Sequence, residues 1–143
     1  MIWATVITDA SFCDRTKKAG WACWIRIDGQ SEPIKRYGAF KGKVRTSTDA
    51  EKMAAANGLF IAKAYGADAF LLQSDCMTVV HLVDGFTKAK HRVDEWTRMM
   101  AKAGVLGSVI KAKHVKAHST TKDARNYVNR WCDSMANKAR KAQ

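Results

Sequence analysis

Four acids stand where the pattern of the chain changes from one element to the next: Asp9, Glu51, Asp75 and Asp133. Asp9 and Asp75 each follow a short apolar run, Glu51 opens a helical stretch, and Asp133 lies within another near the C-terminus. Singly, each has a structural explanation. Glu51 can complete a capping box begun by Thr48, Asp9 and Asp75 can terminate strands, and Asp133 can be one acid on a basic helix. Together they describe a chemistry. Strand ends of an α/β sheet gather along one edge, where crevices form. Carboxylates collected there repel one another, and burial raises their pKa values further. Divalent cations remove that cost, and two Mg²⁺ ions about 3.5–4 Å apart can activate water and stabilise the leaving oxygen of a phosphodiester. Mg²⁺ takes oxygen ligands, which this set supplies. A zinc set is not evident: Cys13, Cys23, Cys76 and Cys132 show no CxxC spacing. His114 and His118, on a strand-to-loop segment, would not share a face as helical ligands do.

The elements that must position these acids can be read from hydrophobic period. Residues 2–8 are apolar on both faces, as in a central strand covered on both sides; residues 20–27 and 34–40 read as two more strands. The period then becomes helical over residues 48–65, with Ala54, Ala55, Gly58, Ile61, Ala62 and Tyr65 on one side, Thr48 as the expected N-cap and Gly66 as the stop. Residues 69–74 suit a buried strand and 76–83 a short helix. Residues 88–103 form an amphipathic pattern with Val93, Trp96, Met99, Met100 and Ala103 inward. Residues 109–115 read as a fifth strand, and 126–142 as a closing helix with Val128, Cys132, Met135 and Ala139 inward. The tryptophans are mostly core candidates, although an exposed ring could stack on a nucleotide.

At 143 residues, with 47% apolar residues and a single proline, the chain reads as one domain spanning 1–143. Its charge narrows the partner: 25 Lys and Arg against 13 Asp and Glu leave +12, which favours an anionic partner, nucleic acid before membrane. Nine of the cations and only two of the acids fall in residues 111–143. No segment reads as a secretory leader or a membrane span, and the cysteines read as reduced thiols. A monomeric, cytoplasmic protein without membrane contact is expected.

Five segments carry a resemblance to a known family. Thr8-Asp9-Ala10-Ser11, Ala50-Glu51-Lys52-Met53-Ala54, Ser74-Asp75-Cys76, His114-Val115-Lys116-Ala117-His118 and Asn129-Arg130-Trp131-Cys132-Asp133 resemble, in order, the signature segments of type 1 ribonuclease H. The resemblance implies an α/β, ribonuclease H-like fold, with a mixed five-stranded sheet of three N-terminal strands followed by alternating helices and strands, and helices on both faces. It implies an endonuclease hydrolysing the RNA strand of an RNA–DNA hybrid, leaving 3′-hydroxyl and 5′-phosphate ends. Asp9, Glu51, Asp75 and Asp133 would hold two Mg²⁺ ions, or Mn²⁺ in their place, with His118 assisting proton transfer or product release. Ser11, Ser47, Asn129 and Lys116 would contact substrate or organise the site, while Lys88, Lys90 and Arg92, too short a segment for the basic handle helix of some members, read either as a reduced hybrid-binding patch or as the solvated start of a helix. The chain departs from the family pattern in having Ala10 after the first aspartate, a charged loop at residues 14–18, and a longer stretch between His118 and Asp133. Two rival classes share these features: a metal-dependent DNA nuclease of the resolvase or transposase type, and an inactive nucleic-acid-binding domain on the same scaffold. A small DNA-packaging protein would fit the charge but leave the acid pattern accidental.

Overall fold

The computed structural model describes residues 1–115 and 124–143. In chain order the elements are β1 (Trp3–Phe12), β2 (Ala19–Ile27), β3 (Ile34–Ala39), α1 (Ser47–Ala64), β4 (Ala69–Ser74), α2 (Met77–Asp84), α3 (Lys90–Ala103), β5 (Val109–His114) and α4 (Ala124–Lys141). They form one five-stranded sheet in the order β3-β2-β1-β4-β5. β1 pairs antiparallel with β2 and parallel with β4; β2–β3 is antiparallel and β4–β5 parallel. The mixed sheet expected from the sequence is therefore present, with helices on both faces.

Alternation along the strands assigns the faces. Val6, Cys23, Ile25, Phe70 and Leu72 point toward α1, α2 and α3 and pack with Leu59, Val79, Trp96 and Met100 in the larger core. Ile7 and Ala22 point the other way, under Cys132 and Ala136 of α4. Both helix layers lie close because glycines let them. A Cβ on Gly58 of α1 would come within 2.7 Å of Thr8 Cγ2, and one on Gly20 of β2 within 2.3 Å of the Ala136 carbonyl oxygen.

Several local expectations are corrected. The N-cap of α1 is Thr46, not Thr48: Thr46 is extended, and its hydroxyl accepts from the Asp49 N–H at 3.1 Å. A cap must stand outside the helix to reach the third amide, whereas Thr48 is already helical. Asp49 thus occupies the capping-box position, and Glu51 is free of any capping role. β1 runs past Asp9, which pairs with Ala22, because β2 continues the ladder to Ala19. Tyr65 and Val93 were expected to face inward and are exposed. Tyr65 caps the end of α1 and its hydroxyl accepts from Arg36, while Val93 lies in the opening turn of α3, ahead of the buried Trp96.

Candidate active site

Parallel pairing of β1 and β4 brings two acids to one edge of the sheet. Ile7 is in register with Gln73, so Asp9 and Asp75, two residues further along their chains, continue side by side on the same face. Glu51 enters from α1. One carboxylate oxygen from each of Asp9, Glu51 and Asp75 lies within 4.8 Å of the other two.

Burial and mutual repulsion dominate the electrostatics of these carboxyls. Burial, then the neighbouring Asp75 carboxylate, pushes the Asp9 carboxyl up to about 7, against the pull of the Ala10 N–H that donates to it at 2.9 Å. Burial likewise drives Glu51 far above the carboxylate range, followed by its hydrogen bond to Asp75 and the charge of Asp9. Glu51 Oε1 is buried and finds no hydrogen-bond partner among the described residues. An orphaned buried oxygen facing two further carboxylates fits a hard divalent cation, which takes oxygen ligands and suppresses the mutual repulsion.

Asp133 stands outside this trio, yet its charge acts on Asp9 from α4. Asn129 lies one turn earlier on that helix, on the same side. The stripe continues to two residues the sequence reading passed over, Asn137 and Arg140. The Ser11 hydroxyl donates to Asn137 Oδ1 and accepts from Arg140 Nε at 2.7 Å. Ser11 is buried, and these bonds tie the end of β1 to the helix bearing Asp133. The spacing 129–133–137–140 is the signal that would have found this tie. His114 of β5 reaches the same edge, its Nε2 lying 3.2 Å from the Asp75 carbonyl oxygen. Its side chain is exposed.

Ser47 is exposed in the first turn of α1. Lys88, Lys90 and Arg92 are exposed at and just before the start of α3, with Lys90 paired to Asp94 at 2.8 Å. Lys116 and His118 lie outside the described residues.

The fold is the ribonuclease H-like fold, in the form found in small type 1 enzymes. The N-terminal RNase H domain of a Mycobacterium tuberculosis protein, solved as a fusion with maltose-binding protein, is 21% identical with a TM-score of 0.77, over 99% of this chain and 96% of that one. RNase H1 from the halophilic archaeon Halobacterium salinarum NRC-1 is 17% identical with a TM-score of 0.76, covering 99% of each chain. LC11-RNase H1, solved with an RNA/DNA hybrid, is 16% identical with a TM-score of 0.69 over 97% of each. No family model matches the chain, and no curated protein does.

Proposed function

We propose that this chain is a type 1 ribonuclease H that hydrolyses the RNA strand of RNA–DNA hybrids. The observation that carries the reading is the convergence of Asp9, Glu51 and Asp75 at one edge of this fold. LC11-RNase H1, a structural neighbour holding an RNA/DNA hybrid, supports the choice of substrate. The net charge of +12 supports an anionic substrate generally.

Asp9, Glu51 and Asp75, with Asp133 beside them, would hold two Mg²⁺ ions, which when bound supply an activated water and charge stabilisation for the leaving oxygen. The protein's own part is positional. β1 and β4 fix two carboxylates on one face; the Ala10 N–H fixes an oxygen of Asp9; the Ser11–Asn137–Arg140 tie holds α4, and so Asp133, against β1. Water adds to phosphorus, the bond to the 3′ oxygen breaks, and 3′-hydroxyl and 5′-phosphate ends result. His118 would assist by moving a proton, a role suited to imidazole near neutral pH. Discrimination for RNA rests on hydrogen bonds to the 2′-hydroxyl across the wide minor groove. Cytoplasmic, monomeric action belongs to the same proposal.

The test is cleavage of matched RNA–DNA, RNA–RNA and DNA–DNA duplexes with Mg²⁺, with Mn²⁺ and with a chelator. Cutting confined to the RNA of the hybrid, and abolished by chelation, is expected. Preferential cutting of DNA would establish the resolvase-type reading; no cutting of any duplex by folded protein would leave the inactive binder.

A further inference from the structure

The sheet is electrostatically lopsided. Its five strands contain one acid, Asp9, and five cations: Arg26, Lys35, Arg36, Lys111 and Lys113. Register and alternation place four of the five on the α4 side. Arg26 pairs with Thr5, Thr5 with Leu71, and Leu71 with Lys111, making one row across the sheet. The next row joins Lys35 to Trp24, Ile7, Gln73 and Lys113. Because Trp24 and Ile7 lie against α4, both rows face that side; Arg36, opposite Cys23, faces the other.

Among the described residues this face is covered unevenly: β4 turns the buried Ala69 and Gln73 to it, with Leu71 half-buried, whereas β5 turns out exposed residues. α4 crosses β1, β2 and β3, and among the described residues no helix covers the same face of β4 and β5. Val109, Lys111 and Lys113 are accordingly exposed. Two tryptophans belong to this face, each with a lysine on its ring: Lys111 Nζ lies 5.7 Å from the Trp3 centroid and Lys35 Nζ 4.5 Å from that of Trp24. Two acids lie at the Trp3 end of this face, away from Lys113 at the far end of β5. Asp68 precedes β4 and accepts from the Ile2 N–H, and Asp28 lies in the turn after β2.

We propose that the exposed β5 strand of this face, Lys111 and Lys113 with Trp3 of β1 beside Lys111, binds single-stranded nucleic acid. Charge complementarity selects a polyanion, and the aromatic–cation pairing selects one with bases. Stacking on rings and phosphate contacts to neighbouring cations together define sequence-tolerant single-strand binding, and sheet faces bearing aromatics are a known platform for unpaired bases. A duplex keeps its base faces covered and could use only the lysines. β5 runs parallel to β4 toward the end of the sheet that carries Asp75, so a strand held along it continues toward the carboxylate edge. This surface is separate from the proposed reaction, and its test requires no cleavage.

The experiment is fluorescence anisotropy of a labelled single-stranded oligonucleotide against the full chain, in chelator. Lys111→Glu with Lys113→Glu is compared with Lys63→Glu plus Lys102→Glu, exposed lysines of α1 and α3 that impose the same net-charge change. The β5 pair should weaken binding roughly tenfold or more, and the control pair about twofold or less. Trp3→Leu, checked for folding by circular dichroism, should weaken binding of the oligonucleotide but not of polyglutamate. Equal losses for the two lysine pairs would reduce the effect to net charge and overturn the proposal. Polyglutamate competing as well as an unlabelled oligonucleotide would also overturn it, in favour of an acidic protein partner. Oligonucleotide binding that persists without hybrid cleavage would remove the proposed reaction and leave this surface standing.

Discussion

Asp9 shows how one residue links burial, charge and metal. An acid whose carboxyl is raised in the folded state from 3.8 to about 7 favours the fold while protonated. As pH rises from about 4 to 7 the unfolded chain releases that proton first, so metal-free stability falls across this window. The melting temperature in chelator should therefore decrease between pH 5 and pH 8, and Mg²⁺ should restore it more at pH 8. Asp9→Asn should flatten both responses; an equally steep pH dependence in that variant would place its origin elsewhere. Because the carboxylate would also hold metal, Asp9→Asn and Asp75→Asn should each lower hybrid turnover by roughly a thousandfold or more. His118→Ala should lose about 10²–10⁴-fold, as expected when only acid–base assistance is removed, with hybrid affinity little changed. A larger turnover loss for His114→Ala, with both variants folded, would move the role to the residue beside the Asp75 carbonyl.

At the scale of elements, close approach and capping decide where the acids stand. Gly58→Val would drive a side chain into Thr8 and Val6 of the strand that carries Asp9. A cost of about 1–3 kcal/mol or more is expected from overpacking, with lost activity following from displacement of α1 and Glu51. Thr46→Ala should cost about 1 kcal/mol, the usual worth of a side-chain cap, whereas Thr48→Ala should cost little. Denaturant midpoints of the two alanine variants check this, and a larger effect at Thr48 would reinstate it as the cap. The period of the sequence located α1 without locating its first residue. Any of Thr46, Ser47 or Thr48 has the chemistry of a cap, and only backbone conformation separates them.

For the whole molecule, charge is the dominant property. With +12 on 143 residues, hybrid affinity should fall steeply with ionic strength, log Kd against log salt having a slope of several units. Neutralising Lys88, Lys90 and Arg92 together should flatten that slope if the start of α3 reaches the hybrid. An unchanged slope would assign those cations to solvent and to local pairing such as Lys90 with Asp94.

Much of this was fixed by sequence alone, because strand and helix periods and the order of signature segments are local properties. The acids at 9, 51, 75 and 133 were legible as a set, and so were the five strands, since each is written in consecutive residues. What the tertiary structure decided depends on pairs far apart in the chain. Parallel register between β1 and β4 sets Asp9 beside Asp75. The path of α4 turns the Ser11 hydroxyl inward onto Asn137 and Arg140, 126 and 129 residues away. Among the described residues, sheet order and a helix that spans three of the five strands leave the cations of β5 exposed. Composition counts such charges, but only packing determines which face they share and what lies over them.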